Sequence, residues 1–168
     1  MSKILDLDII GIDSSYLTNM KPAENIILRI DKKHNPLSYY YPYLVVSDNV
    51  KTLDVKTDLF QVDPFQRRDA IKRKIKSGVG IEISIAFSKK LDASLAGKWL
   101  KEVKSIYEFC KLNDCQFVLS SGATSVNELV SARSFESLLK LIGITPINYW
   151  NEISEWLHTK NKVRWAHA

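Results

Sequence analysis

Apolar residues in this chain fall in short runs divided by polar, breaker-rich connections, with helical periodicity in the longer stretches between them. Residues 4–12 alternate and then run apolar, which predicts a strand or a strand with a turn. Residues 25–30, Asn-Ile-Ile-Leu-Arg-Ile, predict a buried strand, and residues 31–42 a loop rich in breakers and aromatics. Another strand is predicted at residues 43–47, and two more extended pieces lie within 52–62, around 58–62. A basic helix over 63–76 then leads into a buried strand over 79–87.

A long helix follows at about 90–112, where Leu91, Leu95, Trp99, Val103, Ile106 and Cys110 recur at three- and four-residue steps. Asn113 and Asp114 close it. Residues 116–121 form a compact strand ending in Gly122-Ala123, and Ser125 with Glu128 is a capping-box pattern for a brief helix. The next helix starts near Ser131, carries Phe135, Leu138, Leu139 and Ile142, and stops at Gly143. Thr145-Pro146 caps the last helix, with Ile147, Trp150, Ile153 and Leu157 as its apolar face. Short buried strands alternating with helices indicate an α/β fold with parallel strands joined by crossovers. A TIM-like barrel, complete or partial, is the first choice and an open doubly wound sheet the second. Residues 1–157 make one domain, and 158–168 a basic, flexible tail.

The 168 residues are enough for a real core, and 45% hydrophobic with 26% charged residues is ordinary for a soluble globular protein. The N-terminal residues are broken by Asp6 and Asp8 and do not read as a signal peptide. No apolar run reaches the roughly 18 residues that span a membrane. Cys110 and Cys115 are the only cysteines, so reduced thiols in a cytoplasmic protein are the default.

The net charge of +5 is concentrated. Residues 61–78 hold six Lys/Arg against Asp63 and Asp69, a net of +4, and residues 158–168 hold Lys160, Lys162 and Arg164 with no acid. Two basic patches of this kind are what a nucleic-acid footprint requires. In the first, Asp63 caps and Pro64 starts the helix, and Phe65, Ile71 and Ile75 face inward. Arg67, Arg68, Lys72, Arg73, Lys74 and Lys76 take the remaining faces, with Arg68, Lys72 and Lys76 in one i, i+4, i+8 row. Like charges at that spacing repel by a few tenths of a kcal/mol per pair, and a polyanion is the simplest reason for them. Arg67, Arg68 and Arg73 suit bidentate phosphate contacts, while the lysines act as point charges. The alternative is a solvated face on an ordinary helix.

Residues 67–87 resemble the archaeal protein component 3 of ribonuclease P. Residues 117–143 extend the likeness: Phe-Val-Leu-Ser-Ser-Gly-Ala, then Asn127-Glu-Leu, then Ser131-Ala-Arg leading into a Leu-rich helix stopped by Gly143. The resemblance covers about residues 43–143, with Ala132 where the family usually has Pro. It implies a TIM-like barrel related to the metal-dependent polymerase and histidinol phosphatase barrels. It also implies a subunit, itself without catalytic residues, that binds ribonuclease P RNA. The implied partners are the small component 2 subunit and other protein components, with precursor tRNA as substrate of the holoenzyme. Mg²⁺ is expected on the RNA, with no cofactor or metal bound by the chain.

Other residues carry weaker signals. Ser120, Ser121 and Gly122 end a strand where barrel sites are built, and can hold an RNA phosphate or simply form a tight turn. Arg133 stands at a helix start, where the dipole disfavours a cation, which points to RNA or to an internal carboxylate. Tyr39, Tyr40, Tyr41 and Tyr43 can stack unpaired bases or cover a barrel end. Glu82 faces the same side as Gly80 and Ser84, and a structural ion pair is its expected role. His34, His158 and His167 are scattered and form no ligand pattern. The competing function is a free-standing, metal-dependent phosphoesterase of barrel fold; a metabolic barrel enzyme with an incidental basic helix is the third.

Overall fold

Five of the apolar runs become strands: β1 Leu28–Asp31, β2 Tyr43–Ser47, β3 Leu59–Gln61, β4 Gly80–Ser84 and β5 Gln116–Ser120. The computed structural model describes residues 28–31, 43–53, 56–66, 68–89, 91–122 and 130–165. The strands pair in chain order, β1-β2-β3-β4-β5, and every pair is parallel. A doubly wound sheet reverses its strand order at a switch point; the described strands show no reversal. Parallel sheets are covered on both faces. Accordingly Leu59, Phe60, Ile81, Ile83, Phe117, Val118 and Leu119 are all buried, on both sides of the pleat. They belong to one contiguous hydrophobic cluster that also takes in the helices. The predicted strand at 4–12 and the Ser125–Glu128 capping box lie outside the described residues.

Among the described residues the helices are α1 Arg68–Lys72, α2 Ile85–Ser88, α3 Ala93–Leu112, α4 Ala132–Leu141 and α5 Pro146–Trp165, with a 3-10 turn at Val50–Thr52. Four of them differ from the periodicity-based expectation. The basic helix spans five residues rather than 63–76. Asp63 Oδ1 accepts from the Phe65 amide at 2.9 Å, a local turn, and the chain leaves the helix again at Arg73. With only Ile71 fully buried and Phe65 and Ile75 half-buried, too little apolar surface holds a longer helix against its own charge. The row Arg68, Lys72, Lys76 is therefore broken, because Lys76 lies beyond the helix.

The strand expected to reach Phe87 stops at Ser84, and α2 begins at once. Ile83, Ile85 and Phe87 alternate as a strand would, but the Ala86 amide donates to the Ser121 carbonyl at 2.9 Å as the chain turns. α3 starts two or three residues late because Asp92 is its cap, accepting from the Leu95 amide at 2.9 Å. The Ser94 hydroxyl at 2.7 Å, and then the Leu95 amide, hold the Asp92 carboxyl below its usual range. The buried stripe of α3 is Trp99, Val103, Ile106 and Cys110, with Leu95 exposed.

α5 continues through Trp165, so residues 158–165 extend a helix that the periodicity ends at Leu157. Its buried face is Tyr149, Trp150, Ile153, Trp156 and Leu157, while Ile147 is 53% exposed. At 100° per residue, Ile147 stands about 120° from Ile153, the centre of that stripe. α3 and α4 both end in Schellman turns. Cys115 N donates to Cys110 O at 3.0 Å across Asp114 (φ 53), and Ile144 N to Leu139 O at 2.8 Å across Gly143 (φ 82).

The β5 edge is closed by a side chain. The Leu119 amide donates to the Tyr149 hydroxyl at 2.7 Å, and that hydroxyl lies 3.4 Å from Leu119 O. An open edge would invite another strand. Among the described residues, α5 covers it at Leu119, with the Tyr149 ring edge-on to Phe117 at 6.2 Å between centroids.

Candidate nucleic-acid interface

The basic segment 68–76 runs from the outer layer of helices to the amino-terminal end of β4. Arg68 is not part of its free charge. From α1 its Nη2 donates to Glu102 Oε2 at 2.6 Å and its Nη1 to the Ser105 hydroxyl, so it bolts α1 to α3. Both side chains of this ion pair keep about a third of their surface, so solvent screens it. Arg68→Ala is expected to lower stability by about 1 kcal/mol, visible in a urea melt, with little effect on polyanion binding. A larger loss of RNA affinity than of stability would contradict this structural role.

Lys72, Arg73 and Lys76 are exposed and make no ion pair among the described residues. Lys74 is also exposed and donates to the Lys51 carbonyl at 3.3 Å, bringing the 3-10 turn alongside. Arg67 lies outside the described residues, as do Tyr39, Tyr40 and Tyr41. Beyond Lys76 the chain is pinned at the strand start. The Ser77 hydroxyl bonds the Asp114 carboxylate, and Gly78 N donates to Asp114 O at 2.8 Å. The cations therefore project from a fixed base.

Ser120, Ser121 and Gly122 stand at the other end of the sheet. Five residues of strand at about 3.3 Å each put about 16 Å between the two ends. Ser84 and Ser120 pair across β4 and β5, and Gly122 packs on Ser84 at φ 67. Ser120 and Ser121 are both fully buried, and the Ser120 hydroxyl has no hydrogen-bond partner among the described residues. Neither hydroxyl faces solvent beside the basic segment. Glu82 is fully buried too, on the Gly80 face of β4. Arg133 is exposed in the first turn of α4, which Ser131 caps through a 3.3 Å bond to the Ser134 amide. The candidate residues thus divide into an exposed cationic group, a structural arginine and a buried serine turn.

Sequence reasoning named Lys160 in the second basic patch but placed it in a flexible tail, and did not find how α5 seats it. Trp156 Nε1 donates to Gly78 O at 2.8 Å, and Lys160 Nζ lies 3.9 Å from Asp58 Oδ1 and 5.8 Å above the Trp156 ring. The pairing joins residues 78 apart in the chain. Its only local signal is the excess of tryptophan in 150–165 beyond what one stripe needs.

Cys115 lies at the same end. Burial, and then the nearby Asp114 charge, push its thiol up to about 11. The neutral thiol is the form the fold favours. Its contribution is complete below the unfolded value of about 8.5 and is lost as pH rises through the folded one. At pH 8 about 0.1% would be thiolate, against about a quarter for a free cysteine. Iodoacetamide is expected to label native Cys115 about a hundredfold more slowly than the urea-unfolded chain; equal rates would contradict the burial. Cys110 is raised as well, mainly by burial.

Among the described residues, no group of three or more His, Cys, Asp or Glu side chains is placed to hold a metal ion, and no helix is long and apolar enough to cross a membrane. No protein-family model matches the chain, and no curated protein matches it.

Proposed function

We propose that this chain is a non-catalytic protein subunit of ribonuclease P that binds the catalytic RNA and assists Mg²⁺-dependent removal of the 5′ leader from precursor tRNA. The observation that carries this reading is the exposed cluster Lys72, Arg73, Lys74 and Lys76, held on a fixed strand start. Each cation that neutralises a phosphate releases counterions, so affinity falls steeply with salt. The cluster lowers repulsion between folded RNA segments, and the RNA with its Mg²⁺ ions performs the hydrolysis. A TIM-like barrel is the fold this reading takes. Five parallel strands in unbroken chain order support it, since a barrel adds its strands in that way. The small component 2 subunit is the proposed protein partner, in the cytoplasm.

The test is to cross-link the chain in its host cells and sequence the RNA recovered with it. Enrichment of ribonuclease P RNA is the expected result, and recovery of no RNA above background would overturn the reading. Turnover of a phosphate ester by the purified chain with Mn²⁺ or Zn²⁺ would instead favour the free-standing phosphoesterase.

A further inference from the structure

We propose that a cleft between α3, α5 and the start of β5 receives one unpaired base, preferably guanine, of the RNA whose phosphates lie on the basic segment. This deepens the ribonuclease P reading and rests on its premise that the partner is RNA. Tyr107 and Lys111 come from the last turns of α3, Asp114 and Cys115 from the turn that ends it, Phe117 from β5 and Glu152 from α5. The cleft holds about 180 Å³. Pockets that enclose a whole drug-sized ligand begin at about 300 Å³, so this one suits a single planar group carried by a larger molecule.

The cleft adjoins the basic segment. The Ser77 hydroxyl bonds Asp114, and Cys115 Sγ lies 4.0 Å from the carbonyl of Lys76, whose side chain is exposed. A strand with a phosphate on Lys76 therefore passes the mouth of the cleft. Part of the wall is aromatic: half-buried Tyr107 stands edge-on to buried Phe117 at 5.6 Å between centroids. Unpaired RNA bases are held against such surfaces and read by hydrogen bonds to their Watson–Crick edges.

The polar groups at the mouth choose among the bases. Lys111 Nζ donates to Glu152 Oε1 at 3.1 Å, and the two side chains are 52% and 40% exposed. A carboxylate has about four lone-pair sites on its two oxygens, so Glu152 has room to accept further bonds. Guanine presents the O6 acceptor beside two adjacent donors, N1–H and the N2 amine, and no other RNA base has two adjacent donors on that edge. Lys111 matches the acceptor, and the Glu152 carboxylate matches both donors. A basic side chain from a protein partner would also suit the carboxylates, but Lys111 and Lys76 repel it at the entrance.

The test compares binding of the full chain to an oligouridine and to the same oligomer with one central guanosine. The guanosine is expected to tighten binding about tenfold. Glu152→Gln is expected to erase that difference without weakening the binding of oligouridine, and a circular dichroism melt confirms that the variant folds. Thioguanosine at the central position is expected to photo-crosslink to Tyr107 or Cys115, located by mass spectrometry. Equal affinity for the two oligomers, or a preference that survives Glu152→Gln, overturns the cleft while the RNA reading stands. Binding of a lysine-rich peptide that Glu152→Gln abolishes, with no preference between the oligomers, overturns the choice of occupant in favour of a basic protein segment. Binding of neither oligomer by the folded chain overturns the premise itself.

Discussion

Gly122→Ala is expected to destabilise the fold by about 3 kcal/mol, lowering the melting temperature by about 10 °C in a chain of this size. Two costs add. The residue sits at φ 67, where an L side chain meets its own backbone. A β-carbon there would stand 1.7 Å from Ser84 Oγ and 2.9 Å from both Ser84 Cβ and Ala86 Cβ. A hydroxyl can rotate away, but the two β-carbons are fixed by the backbone of β4 and α2. Ser84→Gly in the same chain removes two of the three contacts, so it is expected to recover part of the loss in a double-mutant cycle. Full additivity of the two substitutions, measured by urea unfolding, would show that the turn does not depend on this packing.

The second large effect is at Trp156. Its ring covers Gly80, where a β-carbon would lie 2.8 Å from the indole and 2.7 Å from Leu59 Cδ1, which is why no larger residue stands there. Trp156→Ala empties that space and frees the Gly78 carbonyl, at an expected cost of about 3–5 kcal/mol. Trp156→Phe keeps most of the packing and loses the donor, with an expected cost of about 1 kcal/mol. A loss below 1 kcal/mol in Trp156→Ala would mean that α5 is not seated on the strand starts.

Elements dictated by local periodicity were legible in the sequence. β2 and β5 stand where their apolar runs predict, and Phe135, Leu139 and Ile142 face the core up to the Gly143 stop. Errors fall where one pattern fits two structures. Ile83, Ile85 and Phe87 satisfy a strand as well as a strand followed by a helical turn. The basic stretch has helical spacing, but its charges outnumber the apolar positions that would hold a long helix down.

The site was legible as composition and not as geometry. Exposed lysines at 72, 74 and 76 follow from charge density. That Arg68 is claimed by Glu102, 34 residues on, does not follow, because no local signal announces a partner so distant. The same holds for the Tyr149 hydroxyl on the β5 edge and for Trp156 at Gly78. Ser120 and Ser121 illustrate the converse. Their place at a strand end was readable, while their complete burial depends on neighbours from β4 and α2.

The central claim is that this chain supplies charge to an RNA enzyme and no chemistry of its own. It is tested most directly by following leader removal from precursor tRNA by ribonuclease P RNA with component 2, across a Mg²⁺ titration, with and without the purified chain. Added protein is predicted to shift cleavage to lower Mg²⁺, with Lys72→Ala/Lys76→Ala reversing much of the shift. An unchanged Mg²⁺ requirement, or leader removal by the chain in the absence of the RNA, would contradict it.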